Sequence, residues 1–136
     1  MSVRASWSAT LLGEPASKSN SRRLVLCGGR PRFIKTVKAL AWMESARRQL
    51  AAMRPPRLLS GPLRFTARIY YASRRPDLDE SLVLDALQGL VYANDRQVSE
   101  KRVSRALDRA RPRVEVTVQE LGRGVPGTGE EYEHDR

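Results

Sequence analysis

Cysteine and histidine are almost absent from this 136-residue chain, with one of each, Cys27 and His134. A single thiol closes no intrachain disulfide, which excludes a disulfide-stapled secreted scaffold and points to a reducing, cytoplasmic setting. A zinc site built from cysteines is excluded on the same count. Cys27 lies between apolar residues and Gly28-Gly29, a place for a buried or half-buried thiol rather than for a nucleophile, which wants a histidine partner. Long apolar runs are missing too. No stretch approaches the roughly 18 residues of a membrane span, and MSVRASWSATLLGEP lacks the apolar block of about 7–15 residues that marks a signal peptide. Neither GxGxxG nor GxxxxGK[ST] occurs, so no nucleotide cofactor is expected. Aromatics are few, and Trp7, Trp42, Tyr70, Tyr71 and Tyr92 read mostly as core residues rather than as stacking platforms for unpaired bases.

Positive charge is what the chain has in abundance. Lys and Arg number 25 against 15 Asp and Glu, a formal net charge of +10, which favours a polyanionic partner such as nucleic acid. The distribution says more than the total. From Pro15 to Arg57 there are eleven basic residues and one acid, Glu44; from Asp77 to Asp95 there are five acids (Asp77, Asp79, Glu80, Asp85, Asp95) and no Lys or Arg. Arg74, Arg75 and Arg96 flank that acidic island. Lys18, Arg22 and Arg23, on a polar loop, are candidate phosphate contacts.

Hydrophobic periodicity places these residues on a small α+β domain over residues 1–121. Strands are expected at Ser6–Leu12, Leu24–Cys27, Arg32–Ile34, Leu63–Tyr71 and Val114–Val118. From Thr36 the apolar residues Val37, Leu40, Met43, Ala46, Leu50 and Met53 recur at helical spacing until Arg54-Pro55-Pro56, leaving Lys38, Arg47 and Arg48 on the other side. A shorter helix is expected over Glu80–Val91 with Asp79 as its N-cap. Val98–Leu107 reads either as helix or as a hairpin partner for the last strand. The Gly-rich acidic residues 122–136 hold no packable pattern and are expected to be disordered, His134 with them.

An acidic island inside a phosphate-binding surface repels its ligand unless a cation bridges the two. Carboxylates are hard ligands suited to Mg²⁺, with Mn²⁺ as a substitute, and Mg²⁺ typically takes one or two of them plus phosphate oxygens. In an extended segment Asp77 and Asp79 point the same way, their Cα atoms about 6.5–7 Å apart. Asp95, across one helix, is expected to fold back beside them. The alternative is that these acids serve a helix N-terminus and a solvated helix face, Glu80 and Asp85 above all.

The strings Arg74-Arg75-Pro76-Asp77-Leu78-Asp79, Leu84-Asp85-Ala86-Leu87-Gln88-Gly89 and Asn94-Asp95-Arg96-Gln97-Val98 resemble the RusA family of Holliday junction resolvases. Gly13 to Arg22 is similar to that family's basic first loop, and the likeness runs over roughly residues 7–121. The resemblance implies a small mixed α/β homodimer that binds four-way DNA junctions and makes paired Mg²⁺-dependent cuts. It implies that Asp77, Asp79 and Asp95 are the catalytic, metal-binding aspartates, and that Val98–Arg105 is a strand paired with Val114–Leu121. The chain also departs from the pattern. Glu80 and Val83 stand where family members commonly have asparagine and a functional lysine, which leaves Arg75, Arg96, Lys101 or Lys18 to supply the missing positive charge. Two further readings are a non-catalytic nucleic-acid-binding module of the same fold, and a DNA reader using Ser99–Arg109 as a recognition helix.

Overall fold

The structure is a computed structural model and describes residues 4–17 and 22–122. Alternation in the first apolar segment produces β1, Ser6–Leu12, which buries Trp7 and Leu11 and turns its even residues outward. A hairpin follows, β2 (Arg22–Cys27) and β3 (Arg30–Lys35), longer than the apolar pattern predicts because the pairing reaches Arg22 and Lys35. Gly28 and Gly29 make the turn with φ of 59° and 80°, left-handed values that the tightest hairpin turns require. These two strands pair only with each other. Cys27, at their tip, is exposed rather than buried as expected, because the hairpin tip lies off the core.

Helix α1, Val37–Met53, starts where the Thr36 hydroxyl accepts the Ala39 N–H at 3.2 Å. It buries Ala39, Trp42, Ala46 and Leu50, while Val37 is 79% and Leu40 54% exposed. The apolar stripe is therefore rotated from the expected one: Trp42 has the most surface to bury, and the small Ala39 and Ala46 let the helix approach closely. Arg47, expected on a solvent or phosphate face, donates to the carbonyls of Ala86 and Gln88 at 3.0 and 3.1 Å, and Arg48 pairs with Glu44.

Strand β4, Leu63–Tyr71, buries Leu63, Phe65, Ala67, Ile69 and Tyr71, and β6, Arg113–Glu120, buries Val114, Val116 and Val118. The sheet order is β1-β6-β4-β5, with β6 antiparallel to both β1 and β4. Val98–Leu107 is strand β5, which removes the recognition-helix reading. Its partner is β4, in parallel, and not β6 as the resemblance implied. The reason is topological: both edges of β6 are taken, so β5 adds to the one free edge of β4. Parallel pairing needs a crossover, and residues 72–97 supply it with helix α2, Ser81–Leu87, and a 3₁₀ turn, Asp95–Gln97. Helix α2 stops four residues short of the expected Val91; the chain turns at Gly89 (φ 87°) and sends Val91 and Tyr92 into the core.

The N-terminal and C-terminal strands are clasped by Glu120. Its carboxylate takes two hydrogen bonds from Arg57 (2.7 and 3.2 Å) and one each from the N–H groups of Ala5 and Ser60. The Arg57 fork, helped by those N–H groups and opposed by burial, holds the Glu120 carboxyl down at about 2. The fold is the expected small α+β domain with two helices. Among the described residues no helix is long and apolar enough to cross a membrane. Lys18, His134 and the acidic tail from Arg123 onward lie outside the described residues.

Candidate active site

Strand β4 ends at Tyr71, and the acidic loop begins there. Tyr71 belongs to the buried alternating set, so its ring is fixed in the core and its hydroxyl needs local partners. The hydroxyl donates to the Asp77 carbonyl at 3.1 Å and accepts the Asp79 N–H at 3.2 Å, so one side chain fixes the backbone on both sides of Leu78. Arg105, from the neighbouring β5, lies 5.2 Å over the Tyr71 ring and donates to the carbonyls of Pro76 (2.7 Å) and Arg74 (3.4 Å). Burial raises the Tyr71 hydroxyl above its usual range. The charges of Asp79 and Glu14 push the same way, which places Glu14 in the same surroundings. Glu14 accepts the Ala72 N–H at 2.8 Å, joining the turn after β1 to the base of the loop.

Asp79 is 8% exposed. Its Oδ1 accepts the Ser81 N–H at 3.0 Å and the Ser81 hydroxyl at 2.8 Å, one residue ahead of the N-cap position, which Glu80 occupies. Its Oδ2 is buried with no partner. A carboxylate oxygen in that condition is costly unless a cation or donor satisfies it. Asp77 is exposed two residues earlier, and Arg74 and Arg75 beside it are exposed as well. Glu80 pairs with Lys101 of β5 at 2.8 Å, which brings an ammonium next to the residue that follows Asp79.

Asp95 opens the 3₁₀ turn and is half-buried. Its N–H donates to the Gln88 Oε1 at 2.9 Å, and Asn94 and Gln97 close a capping box around it. Burial raises the Tyr92 hydroxyl far above its ordinary range, and the charges of Asp95 and of Asp85, on α2, add to the effect. Among the described residues no group of three or more His, Cys, Asp or Glu is placed to hold a metal ion. In chain order the seven-residue α2 lies between the Asp77–Asp79 loop and the Gln88–Asp95 clamp. What the loop itself offers is a pair of carboxylates, one with an unsatisfied buried oxygen. That donor set fits Mg²⁺, which usually takes one or two carboxylates and fills its remaining positions with water and phosphate.

Of the basic residues expected to meet DNA, Arg22 and Arg23 are exposed at the start of β2, Arg96 is exposed beside Asp95, and Lys101 is half-engaged by Glu80. Arg105, Tyr71 and Glu14 were not singled out by the sequence. Tyr71 reads as one more apolar core position and Glu14 as part of a turn; only the fact that a buried hydroxyl needs partners hints at the first. Val83, standing where a lysine is common, is fully buried in the core. No curated protein sequence matches this chain. The family model for endodeoxyribonuclease RusA matches residues 13–119, from the turn after β1 almost to the end of β6 and across the whole acidic loop, and the chain accordingly belongs to the RusA endodeoxyribonuclease family.

Proposed function

We propose that the protein is a Mg²⁺-dependent, structure-selective endodeoxyribonuclease that binds four-way DNA junctions as a homodimer and resolves them by paired cuts, in recombination and repair. Family membership supplies the nuclease class. The observation that carries the metal dependence is the buried, unpartnered Oδ2 of Asp79 in a loop bordered by Arg74, Arg75, Lys101 and Arg105. Asp79 and Asp77 are assigned the metal, and Asp95 is assigned the third catalytic carboxylate on the strength of the family resemblance. A divalent cation there supplies a more acidic water and neutralises charge at the scissile phosphate.

The chain's own residues do the rest. Tyr71 and Arg105 hold the loop backbone so that the two carboxylates keep their spacing, and exposed Arg74 and Arg75 draw the phosphate backbone to it. Lys101 takes the place of the absent family lysine, since Glu80 already holds its ammonium beside the acidic loop. The reading is tested with purified protein, a synthetic four-way junction and Mg²⁺ or chelator. Paired nicks in Mg²⁺, none with chelator, and loss of nicking but not of binding in Asp77→Asn and Asp95→Asn are expected. The alternative is a non-catalytic nucleic-acid-binding module of the same fold. Junction binding by wild type without cleavage in either Mg²⁺ or Mn²⁺ establishes it instead.

A further inference from the structure

The β2–β3 hairpin has an uneven distribution of side chains that the proposed chemistry does not use. Leu24 faces Phe33 and Leu26 faces Pro31 across the ladder, so these four lie on one side of the ribbon. Leu24 is 59%, Leu26 76% and Phe33 71% exposed, and Pro31 is exposed too. Val25 and Ile34, on the other side, are only half-buried there beside Arg23, Arg30 and Arg32. The strands join neither edge of the main sheet. A lone two-stranded hairpin is marginal in water, and an apolar face this open is normally covered by a partner.

Charge identifies the partner. Between Arg22 and Lys35 there are five basic residues and no acid. Arg22 and Lys35 share the apolar side, so a second hairpin laid on that side brings these like charges together without a counter-charge, whereas a polyanion neutralises them. DNA distorted at a branch point also offers what the apolar side needs, because unpaired or unstacked bases present flat apolar faces. Leu, Phe and Pro are among the side chains that proteins wedge between base steps. Resting on the junction-nuclease reading above, we propose that the hairpin is a DNA wedge: its arginines grip phosphates while Leu24, Leu26 and Phe33 pack against bases opened at the junction centre.

The test uses the full chain and a four-way junction carrying 2-aminopurine at the crossover, whose fluorescence rises when the base is unstacked. Wild type is expected to raise it. The triple variant Leu24→Ser, Leu26→Ser, Phe33→Ser is expected to lose most of that rise and to bind the junction about tenfold more weakly, the equivalent of one stacked base. Its affinity for plain duplex should change far less, and its sedimentation mass should match wild type. Leu26→Ser alone, the most exposed position, is expected to move the signal in the same direction and guards against misfolding of the triple variant. A wild-type fluorescence rise and junction preference retained in both variants overturn the wedge. A drop in mass overturns it in favour of a face that joins two copies of the chain. Failure of wild type to bind or cut any junction instead sinks the nuclease reading itself; cutting by wild type with unchanged variants sinks the wedge alone.

Discussion

Tyr71 links the packing of the core to the chemistry of the loop. Its ring is fully buried and its single hydroxyl satisfies groups on both sides of Leu78, so removal of that oxygen leaves a backbone N–H and a carbonyl without their partner. Tyr71→Phe is expected to cost about 1–3 kcal/mol of stability, by denaturant titration, and to lower cleavage about 10–100-fold, the range for a residue that orients a metal ligand. A merely structural role leaves the Mg²⁺ concentration for half-maximal cleavage unchanged; a positioning role raises it. Glu120 gives a second prediction at this scale. Its carboxyl sits at about 2 in the folded protein against an ordinary 4.5, so the stability it contributes is fully present above about pH 4.5 and is lost as pH falls through that interval toward 2. Glu120→Gln is expected to be less stable than wild type at neutral pH and to show a shallower decline between pH 5 and 2, measured by thermal melts across pH.

The elements show which kinds of pattern are legible in a sequence. Strict alternation located β1, β4 and β6, because a strand covered on one face repeats every two residues whatever its neighbours are. Strand pairing was not legible to the same degree: nothing in Val98–Leu107 states that β6 has no free edge. The face of α1 differs from the expected stripe because helical spacing counted from Val37 selects Val37 and Leu40, while packing against the sheet buries Ala39 and Trp42 beside Ala46 and Leu50. Substitution distinguishes the two faces directly. Trp42→Ala is expected to cost about 3–5 kcal/mol, and Leu40→Ser, on the exposed side, within about 0.5 kcal/mol of nothing. The acidic loop was legible as composition, five acids in a basic chain, but its geometry was not. The clamps that hold it come from Tyr71 and Arg105, which sit on strands, and the Asp95 N–H is tied to the Gln88 side chain.

At the scale of the molecule, the division of charge sets how DNA is met. The basic first third of the chain supplies attraction at a distance, and the acidic loop keeps phosphate away unless a cation accompanies it. Junction affinity is therefore expected to fall steeply with salt, and Arg30→Ala with Arg32→Ala should reduce the slope of log affinity against log salt by about two, nearly one for each phosphate contact removed. The loop sits where two parallel strands, β4 and β5, carry Tyr71 and Arg105 to the same end of the sheet. This arrangement makes the spacing of its carboxylates a property of the fold. The most direct test of the whole account is cleavage and binding of a four-way junction by Asp79→Asn in Mg²⁺, beside wild type. Loss of more than about a hundredfold in cleavage, beyond the 10–100-fold of an orienting residue, with binding equal to or tighter than wild type, is the predicted result. Undiminished cleavage by Asp79→Asn contradicts it.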